Sequence, residues 1–306
     1  MEEGLYNLYQ DLVSGKYKHG PYKIFSISDP KPRKIAKATV RDRVVHHLVS
    51  KKLEEIYEPC FIYDLYSSRK GKGVHKAVKR IQDWLKFSGN CRSDPMWSSV
   101  IIKCDIRKFF ASVDHEILIN ILEKKIKDEG FIDLLKEIIC SFPVETQSFA
   151  SLRRCGIPLG NVTSQIFANI YLNELDQFVK HRLKIKSYVR YCDDVVFICG
   201  LGGDCRGLIN QTPTKEIDNF LRQNLKLELH PQKTIIKKLN QGMDFLGLVV
   251  FSDHLILRAK TKKRILNRAG AENLLPLQST YSYFALLKWC ESYKIRLEIC
   301  KMICKK

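Results

Sequence analysis

The chain has 306 residues, of which 45% are hydrophobic, and this composition excludes disorder as a description of the whole protein. Its 52 Lys and Arg residues outnumber 33 Asp and Glu residues, so the formal net charge is +19. Such a surplus predicts a polyanionic partner, with nucleic acid preferred to an anionic membrane surface. A charged surface that only keeps the protein soluble is the alternative.

The cysteines and the lack of long apolar runs bear on the cellular compartment. The 11 cysteines include no Cys-x-x-Cys pair, which zinc fingers and zinc ribbons usually have. The acidic N-terminus lacks the apolar run of a signal peptide, and no segment reaches the roughly 18 apolar residues of a membrane-spanning helix. We therefore expect free thiols, a cytoplasmic location and no membrane partner.

The spacing of apolar residues predicts helices and strands in chain order. The predicted helices cover residues 39–53, 74–87, 114–127, 131–140, 163–182 and 215–225 and much of the last fifty residues. The predicted strands cover residues 99–104, 188–191, 195–199, 227–229 and 234–238, with a hairpin of 245–251 and 255–257. A loop is predicted over residues 200–207. This order is typical of an α+β fold with a mainly antiparallel sheet.

Two acidic sites follow apolar strands. Asp105 ends the strand of residues 99–104, and Asp193 and Asp194 form the tip of a hairpin. Adjacent carboxylates at the end of a buried strand repel each other and lose hydration, and a cation removes both penalties. Carboxylates brought together in this way suit Mg²⁺, and two such ions support in-line attack on a phosphate. A lone Asp-Asp pair is also typical of a solvated turn, but the third acid favours a metal site.

Five motifs lie along the chain in the order found in one enzyme family. They are Asp105-Ile-Arg-Lys-Phe-Phe110, the run from Gly156 to Leu172, Tyr191-Cys-Asp-Asp194, Lys233 in His-Pro-Gln-Lys-Thr, and Phe245-Leu-Gly247. They resemble, respectively, the first catalytic motif, the template- and nucleotide-facing motif, the Tyr-x-Asp-Asp box, the lysine motif and the primer-grip hairpin of reverse transcriptases. A chance match to one motif is common, whereas five matches in order are not.

The resemblance implies a right-hand polymerase fold of the α+β class, with an antiparallel palm sheet and a short helical thumb. The fingers would span residues 1–103, with 131–160 returning to them, the palm 104–256 and the thumb 257–306. The implied activity is RNA-directed DNA polymerisation by two-metal nucleotidyl transfer, with an RNA template, a primer and dNTPs as substrates and cDNA as product.

The resemblance also implies the residues of the reaction centre. Asp105, Asp193 and Asp194 would bind two Mg²⁺ ions, with Mn²⁺ as the alternative ion. The carbonyl oxygen of Ile106 would be a further ligand. Lys233 would protonate the pyrophosphate leaving group.

Other residues are implied to contact the substrates. Those implied to bind the incoming nucleotide are Arg69, Lys70, Lys72, Phe110, Leu159, Gly160 and Gln165. Those implied to contact nucleic acid are Tyr191, Phe245, Gly247, Arg258, Lys262 and Lys263. Phe110 lies where the family has a steric gate, whose ring clashes with a ribose 2′-hydroxyl. The basic turn of residues 69–72 can close around phosphate, although a solvated loop is the alternative. The basic stretch of residues 16–37 is a further candidate for binding structured RNA or an acidic or RNA-bound partner.

Leu159 bears on the subgroup. Retroviral and group II intron enzymes have Gln at this position, whereas the pattern from Leu159 to Gln165 resembles reverse transcriptases of diversity-generating retroelements. In that group an aliphatic residue is associated with errors opposite template adenine, and the enzyme acts with a structured non-coding RNA and a small basic oligomeric accessory protein. Phe284 and Trp289 depart from the thumb motif of the group, so a bacterial reverse transcriptase of phage defence stays an alternative. A non-catalytic RNA-binding relative, an RNA-templated RNA polymerase and a nuclease also stay open.

Overall fold

The computed structural model describes residues 2–28, 31–90, 100–142, 155–199, 213–270 and 277–304. The helices in these ranges are α1 (Glu2–Val13), α2 (Val40–Tyr57), α3 (Val74–Asn90), α4 (Phe109–Ser112), α5 (His115–Lys125), α6 (Glu129–Cys140), α7 (Val162–Gln177), α8 (Pro213–Leu225), α9 (Ala259–Gly270), α10 (Leu277–Leu287) and α11 (Tyr293–Cys304). The strands are β1 (Lys23–Ile27), β2 (Arg33–Lys37), β3 (Val100–Asp105), β4 (Tyr188–Tyr191), β5 (Asp194–Cys199), β6 (Ile235–Lys238), β7 (Met243–Phe245), β8 (Leu248–Val250) and β9 (Leu255–Leu257).

A four-stranded antiparallel sheet in the order β4-β5-β3-β6 separates two hydrophobic cores. Because side chains alternate along a strand, Ile102 and Cys104 of β3 face a core formed with α2, α5, α6, α7 and α8. Ile101 faces the second core, which includes α3, the three-stranded sheet β7-β8-β9 and residues of α9, α10 and α11. Both faces of the central sheet are therefore buried, which agrees with its apolar, β-branched strands.

The hairpin of β1 and β2 is attached to the chain just before α7. The N–H of Ala36 donates to the carbonyl of Leu159 (2.9 Å), and the side-chain amide of Asn161 donates to the carbonyl of Ala36 (2.9 Å). Gly160 between them has φ +112°, and a Cβ there would lie 2.6 Å from Cγ2 of Ile35. Only glycine fits this backbone and this close approach, so Gly160 brings the hairpin next to Leu159.

Most of the predicted elements are confirmed. The helices predicted over 39–53, 74–87, 114–127, 131–140 and 215–225 correspond to α2, α3, α5, α6 and α8, and the sheets are antiparallel. Asp114 begins α5 as its N-cap, because its side chain accepts a hydrogen bond from the N–H of Ile117 (3.1 Å). The predicted loop of residues 200–207 lies outside the described residues.

Three predictions of local structure need correction, and one helix and one hairpin were missed. The strand predicted over 227–229 is not formed, and Leu229 makes only an isolated bridge with Ile106. The helix predicted over 163–182 ends at Gln177 and continues as a π-helical turn, Phe178–Arg182. The strand predicted over 245–251 is divided into β7 and β8, because Leu246 and Gly247 adopt φ values of 51° and 89° that a strand does not tolerate. Helix α1 and the hairpin of β1 and β2 were not predicted.

The cysteines and the helix lengths agree with the composition. None of the cysteines whose side chains the structure describes forms a disulfide. Cys104 is buried in the first core, where it acts as a small apolar side chain. Among the described helices, none has the length and apolar content that crossing a lipid bilayer requires.

Candidate active site

The structure brings the three predicted acids together at one end of the central sheet. Strand β3 ends at Asp105, strand β5 begins at Asp194, and the antiparallel register places these two residues opposite each other. Asp193 lies in the turn between β4 and β5, and its carbonyl accepts a hydrogen bond from the N–H of Ile106 (3.4 Å). The three acids therefore lie at the same end of the sheet, although Asp105 is far from Asp193 and Asp194 in the sequence.

The turn that carries Asp193 is held in an unusual backbone conformation. Cys192 has φ +57°, a left-handed conformation that is uncommon for a residue other than glycine. Its N–H donates to Oγ of Ser67 (2.9 Å), and its carbonyl accepts from Nη1 of Arg190 (3.1 Å). Both polar groups of the strained residue are thus bound by side chains outside the turn, which fixes the direction of the adjacent Asp193.

Beneath this turn lies a completely buried ion pair. Nε and Nη2 of Arg190 donate to the two carboxylate oxygens of Asp176 (2.7 and 2.6 Å), and both side chains are 0% exposed. The hydroxyl of Tyr188 donates to the same carboxylate (2.7 Å), and Nη2 of Arg190 also donates to the carbonyl of Asn169 (3.3 Å). Because a buried guanidinium without a partner is very costly, this network keeps Arg190 in one position beneath Cys192.

Two of the three acids form an ion pair with a lysine. Nζ of Lys233 lies 3.0 Å from Oδ2 of Asp105, and Nζ of Lys103 lies 3.0 Å from Oδ1 of Asp194. Burial raises the pKa of Asp193 above its usual value, and the carboxylates of Asp194 and Asp105 raise it further. A bound cation would therefore stabilise the charged form of Asp193.

The donor atoms fit a divalent cation, although their arrangement is not that of a closed metal site. Within the part of the chain that the structure describes, no group of three or more His, Cys, Asp or Glu side chains is arranged to hold an ion. The available donors near the turn are carboxylate oxygens, which Mg²⁺ prefers, and the pKa of Asp193 is raised by its burial and by the negative charges of Asp194 and Asp105. Burial and the neighbouring Asp193 raise the pKa of the Cys192 thiol to about 12, so this thiol stays neutral.

The acids open into a cleft of about 1060 Å³. The predicted site residues that line this cleft are Asp105, Ile106, Phe110, Leu159, Gly160, Gln165, Tyr191, Asp193, Asp194 and Lys233. Phe110 is half-buried and packs edge-to-face on Phe109, with their ring centroids 5.3 Å apart. Both residues line the cleft, but Phe109 is 2% exposed and belongs to the core, so Phe110 is the more accessible of the two.

The predicted nucleotide-binding turn of residues 69–72 does not line this cleft. The guanidinium of Arg69 binds Glu58 and donates to the carbonyls of Ile62 (2.8 Å) and Leu65 (3.1 Å), which leaves the side chain 8% exposed. Nζ of Lys72 donates to the carbonyl of Tyr63 (2.9 Å) and lies over its ring. Lys70 is exposed but is likewise not among the described cleft residues. These three cations lie outside the described cleft, and local partners already bind Arg69 and Lys72, so their contact with the triphosphate stays a prediction.

The predicted contact of the Phe245 ring with nucleic acid needs a correction. The Phe245 side chain is 0% exposed in the second core, so its ring cannot contact nucleic acid. The neighbouring Leu246 lines the cleft instead. The carbonyl of Gly247 accepts from the N–H of Arg258 (3.2 Å), and Nε of Arg258 pairs with Asp244 (2.7 Å).

The remaining predicted contacts lie on the last helices. Lys262 and Lys263 are exposed on α9, and Lys262 lines a second groove rather than the cleft. Contacts of these lysines with nucleic acid stay a prediction.

Four basic residues of the cleft were missed by the sequence analysis. They are Lys31, Arg33, Arg107 and Lys108. The first two belong to the β1–β2 hairpin, within the basic stretch that the sequence had indicated for RNA. Lys108 has φ +46° and begins the short helix α4, and Arg107 pairs with Glu228 (2.6 Å). Lys31 and Arg33 approach the acids only because their hairpin docks against a distant segment, whereas Arg107 and Lys108 follow Asp105 directly in the sequence.

The geometry of this site agrees with a comparison of the sequence with known families. A family model described as reverse transcriptase (RNA-dependent DNA polymerase) matches residues 22–250, a range that contains all the cleft residues. The chain belongs to the reverse transcriptase family.

Curated relatives of this reverse transcriptase include proteins encoded by introns. The group II intron-encoded protein LtrA of Lactococcus lactis is 27% identical, over 92% of this chain and 56% of its own length. Protein YkfC of Escherichia coli is 26% identical over 83% of this chain and 71% of its own length. The COX1/OXI3 intron 2 protein of Saccharomyces cerevisiae is 25% identical over 79% of this chain, which spans only 33% of that protein.

Solved structures similar to this reverse transcriptase include telomerases. Apo telomerase from Candida tropicalis superposes with a TM-score of 0.56 at 12% identity, over 85% of this chain and 53% of the telomerase. Telomerase from Candida albicans in complex with a fragment of telomeric RNA gives a TM-score of 0.51 at 13% identity, over 86% of this chain and 54% of the telomerase. At these identities the likeness establishes the fold, which is the predicted right-hand polymerase fold of the α+β class.

Proposed function

We propose that this reverse transcriptase is an RNA-directed DNA polymerase, which extends a primer on an RNA template and makes cDNA from dNTPs. The observation that supports the proposal best is the meeting of Asp105, Asp193 and Asp194 at the edge of a cleft lined by Phe110 and basic residues. A relative that only binds RNA would have no need for a strained turn, bound by two side chains, that carries the partly buried carboxylate of Asp193.

The residues of the cleft would have different roles in the reaction. Asp105, Asp193 and Asp194, with the carbonyl oxygen of Ile106, would hold Mg²⁺ or Mn²⁺, which supplies positive charge to the attacking and leaving oxygens of a phosphoryl transfer. Lys233 beside Asp105 is the nearest described candidate to give a proton to the pyrophosphate. The hairpin cations Lys31 and Arg33 join the turn of residues 69–72 as candidates to bind the triphosphate.

The direct test is primer extension with purified protein, an RNA template, a DNA primer, dNTPs and Mg²⁺. We expect a DNA product of template length, no product when the ion is chelated, and a steep loss of template binding at high salt. Failure to extend the primer with either Mg²⁺ or Mn²⁺ would contradict the proposal and favour an RNA-binding function.

Phe110 is expected to select deoxynucleotides. Its ring lines the cleft and is supported from behind by Phe109, so it cannot easily retreat from a ribose 2′-hydroxyl. We expect Phe110→Ala to lower the preference for dNTPs over rNTPs by about tenfold or more, measured as the ratio of kcat/KM values. Phe110→Tyr keeps the ring and is the matched control, for which we expect an unchanged ratio. Equal ratios for all three proteins would refute the gate and favour an RNA-templated RNA polymerase.

We further propose that the enzyme is error-prone at template adenines, as in a diversity-generating retroelement. The proposal is supported by Leu159, which lines the cleft where retroviral and group II intron enzymes have Gln. An aliphatic side chain makes no polar contact to the incoming nucleotide, so a correct base pair loses part of its advantage over a mismatch. The carbonyl of Leu159 binds Ala36, a contact that any side chain at this position preserves.

Leu159→Gln tests this proposal without disturbing the fold. We expect misincorporation opposite template adenine to fall by about tenfold, with errors at the other three bases changed much less. The measurement is sequencing of cDNA made on one RNA that contains all four bases, and Leu159→Ile is the control that keeps an aliphatic side chain. If wild-type errors at adenine are no more frequent than elsewhere, the assignment fails and the phage-defence alternative gains weight.

The partners and the location follow from the same proposal. The enzyme would work in the cytoplasm with a structured non-coding RNA that contains the template and with a small basic oligomeric accessory protein. The net charge of +19 favours a direct contact of the enzyme with RNA. A basic accessory protein would be repelled by this basic enzyme, so we propose that the RNA binds both proteins and joins them.

A further inference from the structure

A second groove, of about 840 Å³, lies beside the outer edge of strand β9. Its walls are Gln82 of α3, the β8–β9 turn and the segment of residues 288–296, which is joined to β9 by a hydrogen bond from the N–H of Glu291 to the carbonyl of Leu255 (2.8 Å). The described residues that line this groove and those that line the cleft have no member in common. The groove is therefore a surface separate from the cleft, and Lys262 is the member of its described lining that was predicted to contact nucleic acid.

The floor of the groove carries an indole ring in a fixed orientation. Trp289 stacks on His75 of α3, with ring centroids 4.0 Å apart and an interplanar angle of 16°. Although His75 covers one ring face, the Trp289 side chain is still 52% exposed, so its other face is open to solvent. Tyr293, at 69% exposure, is a second accessible ring in the same groove. Rings held open in this way favour stacking of a flat ligand.

The charge of the groove favours a polyanion. Lys262, Lys288 and Lys294 are exposed, and none of the three forms an ion pair with any residue that the structure describes. Two carboxylates face them from the same groove, and one of these, Asp253, accepts a hydrogen bond from Nδ1 of His254 (2.9 Å). The cations therefore outnumber the acids, and their ammonium groups are free to bind phosphate.

We propose that this groove binds an unpaired segment of RNA, with one base stacked on Trp289 and adjacent phosphates bound by Lys288 and Lys294. An unpaired base can expose its flat face to the indole, whereas a base inside a duplex is already stacked on its neighbours. The site goes beyond the proposed polymerase function, because a strand held here stays outside the cleft and its binding requires no polymerisation.

The test is a binding measurement on the full chain with the cleft already filled. Fluorescence anisotropy follows a labelled oligouridine that is added to protein saturated with an unlabelled RNA template–DNA primer duplex, without dNTPs or Mg²⁺. We expect the oligouridine to bind under these conditions, Trp289→Ala with Lys288→Ala to weaken its binding by about tenfold or more, and Trp289→Phe to keep most of it. Lys51→Ala, an exposed lysine of α2, is the matched control and should change nothing.

Three results would overturn the inference. In the first, the duplex displaces all of the bound oligouridine. In the second, the variant with Trp289→Ala and Lys288→Ala binds oligouridine as tightly as the wild type. In the third, this variant loses primer extension on a short template to the same extent as it loses oligouridine binding. The last result would make the groove part of the path of the duplex. If the Ala variant unfolds, Trp289→Phe with Lys288→Glu gives the same readout at lower risk to the fold. A wild-type enzyme that binds oligouridine but cannot extend a primer contradicts the polymerase proposal alone.

Discussion

Replacing Asp193 by Asn is expected to reduce primer extension by at least about 10³-fold while the protein stays folded. The reaction loses a ligand for cations whose charge stabilisation is worth several kcal/mol, and about 1.4 kcal/mol corresponds to each factor of ten. The fold, in contrast, loses a carboxylate that burial and the neighbouring Asp194 and Asp105 disfavour in its charged form. We therefore expect the melting temperature of Asp193→Asn to equal or exceed that of the wild type.

The combination of these two results distinguishes a catalytic carboxylate from a structural one. Asp133→Asn removes the same charge from an exposed position on α6 and is the matched control, with both activity and stability expected to stay as in the wild type. The measurements are steady-state primer extension with Mg²⁺ and thermal unfolding of each protein. A fall in the melting temperature that parallels the fall in activity would mean that Asp193 supports the turn rather than the chemistry.

Replacing Asp176 by Ala is expected to destabilise the protein by about 3–5 kcal/mol, because it leaves the fully buried guanidinium of Arg190 without its partner. Unfolding in urea measures this change. Glu55→Ala removes one side of an ion pair whose side chains are 61% and 55% exposed, and it serves as the control with an expected cost of less than about 1 kcal/mol. A cost for Asp176→Ala as small as that of the control would show that the pair is not buried in solution.

A double variant separates the stability of this pair from its effect on the active site. Asp176→Leu with Arg190→Met replaces both charges by apolar side chains, so most of the lost stability should return. The carbonyl of Cys192 then lacks the donor that Arg190 supplies, and the strained turn that carries Asp193 is free to relax. We expect kcat to stay well below the wild-type value with little change in KM. Full recovery of kcat would mean that Ser67 alone holds the turn.

Local sequence patterns predicted the elements of the central sheet and its acids because their causes are local. The apolar runs before Asp105 and on both sides of Asp193 and Asp194 are short, β-branched and buried, and strands β3, β4 and β5 follow them closely. The polar turn between two such runs must lie at an end of the sheet, where the strands stop. Meeting of the three acids required only that β3 and β5 pair, and an antiparallel sheet was the expected architecture.

Basic residues could not be assigned from the sequence because Lys and Arg look alike wherever they occur. The basic turn of residues 69–72 matched the expected chemistry, yet Arg69 directs its donors to Glu58 and to two carbonyls. Arg33 reaches the cleft only because Gly160 and Asn161 dock its hairpin beside α7, more than a hundred residues later in the chain. Which cation faces a substrate is therefore decided by contacts between distant segments.

The sequence by itself determined the family, the order of the elements and the three acids, since motif spacing, apolar periodicity and strand ends are properties of short segments. Only the tertiary structure decided which neighbours face the cleft, because side chains alternate between the two faces of a sheet and a turn reverses their direction. Phe245 is buried and Leu246 lines the cleft for this reason. The pairing of Arg190 with Asp176 and the stacking of Trp289 on His75 likewise join segments whose approach no local pattern encodes.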